Sequence, residues 1–220
     1  MKYVEWKGNE IIFRSNGETI QITPWGKDSL RVRAAQMADI RDDRFALLDA
    51  GIPGDGIEIS IEEERGTLRN GKITAVVEVS GWKQNGRITF YNQKGEVLLR
   101  ETDSGNALTL TPREYLPQTG GDFALNVTFE GQEGERLYGM GQYQEEQVDW
   151  TGCTLELKHR NSQASVPFVL SSRGYGFLWH NPALGFVSFG KNRTTWHADA
   201  TQQMDYWITA GDRPADISRN

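Results

Sequence analysis

Short segments of alternating apolar and polar residues, each closed by Gly, Asn, Asp, Ser or Pro, recur along nearly the whole chain. A strand points successive side chains to opposite faces, so a two-residue period buries one face of a sheet and wets the other. The alternation predicts strands at 10–14, 19–23, 30–33, 57–62, 72–80, 86–92, 96–101, 107–111 and 123–130. It resumes after Tyr138 with 155–158, 166–171, 176–180 and 204–209. Residues 72–80 are β-branched and apolar enough for a central strand. Asn16-Gly17 favours a tight hairpin turn, and Asn92-Gln93-Lys94-Gly95 closes a second hairpin. Pro117-Gln118-Thr119-Gly120-Gly121 reads as a loop and not as a domain boundary. Only 34–48 holds a run of helix formers. Asp39, Asp42 and Asp43 interrupt its apolar face, which leaves a helix and a long loop both open. No strand–helix–strand alternation appears, which disfavours a doubly wound sheet. The expectation is an all-β antiparallel β-sandwich of two large sheets, with residues 1–220 forming one domain.

Composition narrows the partners. The formal net charge is -6 with both signs interspersed, so no basic stripe is present to neutralise phosphates and nucleic acid is excluded. Hydrophobic residues make up only 37% of the chain, but seven Trp, seven Tyr and nine Phe supply large apolar surfaces. Such rings fill a sandwich core, and they also suit the CH faces of sugars. No apolar run reaches membrane-spanning length, so no membrane partner is expected. Cys153 is the single cysteine and can form no intrachain disulfide; it reads as an inert small hydrophobe. The first residues carry no apolar leader, and a cytoplasmic location is the expectation.

Catalytic chemistry is conspicuous by what is missing. Hydrolysis by paired carboxyl groups needs two of them facing one bond. The acidic runs Asp42-Asp43, Glu62-Glu63-Glu64 and Glu145-Glu146 place adjacent residues on opposite faces of an extended chain, so they read as solvated surface. His159, His180 and His197 lack metal-ligand spacing, and no metal or other cofactor is expected. Gly139-Met140-Gly141 fails as a dinucleotide fingerprint because Gln144 takes the third glycine position and no helix pattern follows. Those glycines instead permit a bend and close backbone packing. Ser171, Ser172 and Cys153 lie in no nucleophile-elbow pattern.

One further pattern is longer than any local motif. Tyr138-Gly139-Met140-Gly141-Gln142 is followed by Val166-Pro167-Phe168, Arg173-Gly174-Tyr175-Gly176 and Trp207-Ile208-Thr209-Ala210-Gly211-Asp212. Together with Ile22-Thr23-Pro24-Trp25, 88–91 and 95–101, these resemble the N-terminal β-sandwich of glycoside hydrolase family 31, whose members include α-glucosidases and α-xylosidases. The resemblance implies a galactose mutarotase-like supersandwich and a catalytic (β/α)8 barrel after residue 220, with Pro214-Ala215-Asp216-Ile217 just before the linker. It also implies that both catalytic carboxylates come from that barrel, since no Trp-x-Asp-Met-Asn-Glu-like motif occurs here. Gly141-Gln142 and Arg160-Asn161-Ser162-Gln163 look closest to bacterial α-xylosidase-like members. In related enzymes one sandwich loop reaches the rim of the active-site pocket. By its place before Val166-Pro167-Phe168, that loop corresponds to His159, Arg160, Asn161 and Ser162. Several members carry Asp at the position of Asn161, which offers hydrogen bonds to hydroxyls without charge. The implied partners are the protein's own barrel and an oligosaccharide substrate.

Three functions therefore compete. The first is a non-catalytic domain of a retaining α-glycosidase. The second is an independent carbohydrate-binding sandwich, which requires Trp179, Trp196 or Trp207 on a solvent face. The third is a mutarotase-like sugar epimerase, which requires a Glu and a His facing one sugar.

Overall fold

The computed structural model describes residues 3–49, 56–102 and 111–220. Eighteen antiparallel strands and one four-residue helix, α1 (Pro214–Ile217), account for its regular structure. One layer is an eight-stranded sheet. Its order is β1 (Val4–Lys7), β2 (Glu10–Ser15), β3 (Glu18–Pro24), β4 (Ser29–Gln36), β18 (Met204–Ala210), β15 (Tyr175–Trp179), β14 (Ala164–Ser171) and β12 (Leu137–Gln142). The opposing layer is not the one large sheet that the alternation suggested. It consists of two five-stranded sheets. The first runs β5 (Glu58–Ile61), β6 (Arg65–Asn70), β7 (Ile73–Ser80), β8 (Asn85–Asn92) and β9 (Val97–Arg100). The second has the order β10 (Arg113–Pro117), β11 (Phe123–Glu130), β17 (Arg193–Thr201), β16 (Gly185–Phe189) and β13 (Thr154–Glu156). An isolated bridge, Glu101 to Phe129, links the two.

Aromatic rings fill the space between the layers. Phe177 and Trp179 of β15 stack on Trp196 of β17, with centroids 5.1 and 5.8 Å apart, and Tyr206 of β18 meets Phe90 and Phe129 edge on. Offset and edge-to-face pairs at these separations add to the burial term. Where the first five-stranded sheet packs closest, glycine is required by space. A Cβ on Gly86 would sit 2.7–2.8 Å from the Ile20 and Phe13 side chains. At one corner Arg113 of β10 is fully buried and binds three sheets together. Its Nε and Nη2 donate to Glu18 of β3 at 2.7 and 3.1 Å, its Nη1 donates to Glu101 beyond β9, and Nη2 also reaches the Gly86 carbonyl at 2.6 Å.

The turn chemistry matches the residues that signalled it. Asn16 and Gly17 take φ values of 52° and 77°, the left-handed pair a two-residue hairpin between β2 and β3 demands. Asn92 caps its own hairpin by accepting from the amides of Lys94 and Glu96. Pro117 ends β10, and residues 118–122 make the β10–β11 connection. Of the two possibilities for 34–48, the helix is excluded: Ala34, Ala35 and Gln36 finish β4, and 37–49 forms a strap without regular structure. The anticipated strand at 107–111 lies largely outside the described residues. Strands β1, β6, β10, β12, β16 and β17 escaped the alternation rule because polar residues or glycine dilute their patterns.

Candidate rim turn and its surroundings

The polar turn between β13 and β14 holds the four residues that the resemblance pointed to. His159, Arg160, Asn161 and Ser162 are all exposed. Arg160 and Gln163 exchange backbone hydrogen bonds of 3.1 and 3.2 Å, so Asn161 and Ser162 stand at the tip of a tight turn. The Gln163 side-chain amide donates to the Lys158 carbonyl at 3.0 Å. Glu156, at the end of β13, pairs with Lys158 at 3.1 Å and with Arg160. The Lys158 ammonium, then the Arg160 guanidinium, hold the Glu156 carboxyl below its ordinary range. Val148 and Val166 expose apolar surface on the flanking segments. The structure thus brings the four residues together as an accessible hydrogen-bonding strip.

β12 reaches this end through a strained bulge. Gly139, Met140 and Gly141 all have positive φ, at 101°, 69° and 89°, and the ladder to β14 slips between Gly139 and Gly141. Met140 is nevertheless fully buried. A left-handed backbone costs an L-residue about 1–2 kcal/mol, and such strain clusters where an element must be re-aimed. The bend anticipated from the glycines is therefore present.

The other histidines do structural work. His197 Nδ1 lies 2.7 Å from Asn126 Oδ1, and its ring stacks on Phe186 at 4.7 Å. His180 is buried on the outer face of the eight-stranded sheet, under the strap. Its Nε2 accepts from the amides of Phe45, Ala46 and Leu47 at 3.0, 3.0 and 3.4 Å, and its Nδ1 lies 3.1 Å from Asp205. Asp205 also receives a two-pronged pair from buried Arg31, at 3.0 and 2.6 Å. Arg31 continues to Asp42 Oδ1 at 2.7 Å and to the Asp43 carbonyl at 2.6 Å, with its guanidinium 4.6 Å from the Trp25 ring. Asp42 is thus more than the solvated charge its sequence suggested; it ties the strap to the sheet.

Burial pulls the Asp42 carboxyl upward, but hydrogen bonds from Arg44 and Arg31 together outweigh it and hold the group below its ordinary value. A depressed folded value contributes stability that is complete above the unfolded value, about 3.9 for Asp, and is lost as pH falls through the folded one. Acidification below about pH 4 therefore loosens the strap. Trp25, whose indole N–H donates to the Leu48 carbonyl at 3.1 Å, reports it. Trp25 emission that follows only global unfolding would refute a local release.

Among the described residues each buried carboxylate has at least one partner, although Glu101 Oε1 accepts no hydrogen bond. Glu18 and Glu101 belong to Arg113, Asp205 to Arg31, and Asp28 accepts from the Lys72 amide at 2.8 Å. A cleft of about 630 Å³ between 131–137 and 189–194 is lined by Glu135 and Asp149. Glu135 is raised by burial against hydrogen bonds from Ser171 and Tyr175. Asp149 accepts from the Leu137 and Thr151 amides. No histidine lines that cleft. Trp179 and Trp196 are 1% and 2% exposed, and Trp207 is 9% exposed with its N–H donated to Trp25 O. None of the three rings stands on a solvent face. Among the described residues no three His, Cys, Asp or Glu side chains converge as a metal set. No helix is long and apolar enough to cross a membrane.

Architecture and site together define a galactose mutarotase-like antiparallel sandwich whose exposed chemistry is a polar turn. The chain belongs to the glycosyl hydrolase 31 N-terminal galactose mutarotase-like domain family, which matches residues 19–187. A family 31 glucosidase of Pseudescherichia vulneris, itself described as uncharacterized, is 46% identical over 96% of the chain, which spans 42% of that protein. Alpha-xylosidase A of Aspergillus niger is 31% identical over 90% of the chain and 29% of its own length. Among solved structures, a family 31 α-xylosidase from a soil metagenome, complexed with xylose, superposes with a TM-score of 0.90 at 44% identity. That match covers 98% of this chain and 33% of the enzyme. The chain thus spans less than half of the longer enzymes it matches.

Proposed function

We propose that this sandwich is the non-catalytic N-terminal domain of a retaining α-glycosidase, an α-xylosidase or α-glucosidase. It packs on the catalytic barrel and shapes the rim of the active-site pocket through His159, Arg160, Asn161 and Ser162. The observation that carries this reading is the exposed, hydrogen-bond-rich turn in a domain whose buried carboxylates are all spent on arginines or backbone amides. Its relatives' names and lengths support the same assignment. A cytoplasmic setting is consistent with the single free Cys153.

The epimerase reading loses support because His180 is capped by three strap amides and no glutamate faces it with room for a sugar. The independent binding-module reading loses it because its aromatic platform is internal.

The test uses the 220-residue chain and the chain joined to a catalytic domain. The former is expected to leave aryl α-xylosides and α-glucosides intact. In the latter, Asn161→Ala removes a neutral hydrogen bond worth about 0.5–1.5 kcal/mol and lowers kcat/KM on oligosaccharides about threefold to tenfold. Wild-type kinetics for that variant would remove the turn from the binding surface.

A further inference from the structure

We infer that Tyr143 is a positioning residue, holding the 159–162 turn in the attitude in which it meets sugar; this rests on the rim reading above. The need for such a residue follows from topology. β13 pairs only with β16, in one layer, while β14 pairs with β12 and β15 in the other. No ladder hydrogen bonds join the two strands that the turn connects. The tip is closed by the Arg160–Gln163 exchange, and the pairs of Glu156 with Lys158 and Arg160 are exposed and screened, so they contribute little.

Tyr143 crosses that gap. Its Oη lies 3.0 Å from the Glu156 carbonyl, at the end of β13, and 2.9 Å from Ser165 Oγ, at the start of β14. A carbonyl only accepts, so the phenol proton goes to Glu156 and the Ser165 hydroxyl donates back to Oη. One oxygen thereby fastens both legs of the turn. The ring is fixed in its turn by Trp150, which it meets edge on at 5.6 Å, and the Trp150 indole N–H donates to Gly139 O at 2.9 Å. The strained Gly139-Met140-Gly141 bulge thus has a purpose that its backbone cost alone does not explain. It turns the end of β12 so that the residue after Gln142 faces back into the seam between the layers. No signal in the sequence marks Tyr143, because its partners lie in strands from opposite layers.

The test is Tyr143→Phe, which keeps the ring and removes only the bridging oxygen. In the 220-residue chain, backbone order parameters of Asn161 and Ser162 should fall from about 0.85 toward about 0.6, the range of a flexible segment. With the catalytic domain attached, the ratio of kcat/KM on an oligosaccharide to that on an aryl glycoside should fall about fivefold, carried by KM. Ser165→Ala should change both readouts in the same direction by less. Unaltered order parameters in Tyr143→Phe would overturn the proposal. So would a loosened turn with an unaltered kinetic ratio in a protein where Asn161→Ala does lower kcat/KM. A loosened turn with neither variant affecting kinetics leaves the clamp standing and removes the rim reading instead.

Discussion

Arg113→Ala is expected to lower the melting temperature by about 10 °C, from the loss of about 3–5 kcal/mol when one partner of a buried ion cluster is removed. Among the described residues the guanidinium is the only cation at bonding distance from the Glu18 and Glu101 carboxylates, and from its own sheet it reaches the other two. Removing it strands two carboxylates, one of them fully buried, against apolar neighbours. Glu101→Gln should cost far less. Burial raises the Glu101 carboxyl above its ordinary value despite the opposing pull of Arg113, so an isosteric Gln gives up the ion pair but also removes a charge that burial disfavours. A raised folded value makes that contribution complete below about pH 4.3, the ordinary value for Glu, and lost as pH rises through the folded one. Gln at this position should therefore flatten the stability profile above pH 4.3. Equal losses in the two variants, measured by calorimetry, would mean that volume and not charge governs the corner.

Gly141→Ala is expected to cost about 3 kcal/mol, from two additive sources. The φ of 89° charges an L-residue about 1–2 kcal/mol, and overpacking adds about 1–3. The crowding is severe because the new Cβ would lie 2.2 Å from the Ala164 carbonyl oxygen and 2.7 Å from the Val166 nitrogen. Those are backbone atoms, which cannot rotate aside, so β12 and β14 must part where Tyr143 leaves the sheet. Gly152→Ala supplies the comparison. Its φ of 87° is nearly the same, yet a Cβ there meets nothing within 4 Å. That variant should lose only the conformational share, about 1–2 kcal/mol. Denaturant midpoints that fall equally in both would show that contact with β14 is not what demands glycine at 141.

Local chemistry carried much of what was legible beforehand. Asn16-Gly17 specified its hairpin because few other pairs accept two left-handed residues in succession. The alternation in 72–80 and 204–209 specified strands because one face must leave water. The turn of His159, Arg160, Asn161 and Ser162 was pointed to by the family resemblance and not by local chemistry. Local rules failed where a residue's state depends on something far along the chain. Residues 37–49 form a strap because Arg31 and His180 bind its backbone and Asp42, a set of partners that a helix pattern does not encode. The division of the second layer into two sheets was likewise invisible, since each strand obeys the same period whichever neighbour it finds.

Sequence by itself thus determined that the chain is an antiparallel sandwich of this family and where its exposed polar turn lies. The sandwich rests on side-chain period and turn geometry, which act between near neighbours; the family and the turn rest on a resemblance of motifs spread along the chain. Tertiary structure alone decided which charges are buried and which oxygen holds the turn. Arg31 meets Asp205 across 174 residues and Arg113 meets Glu18 across 95, while Tyr143 joins strands of opposite layers. Sheet pairing and layer packing bring such groups into a low-dielectric interior, where an unpaired charge or a missing hydrogen bond becomes costly.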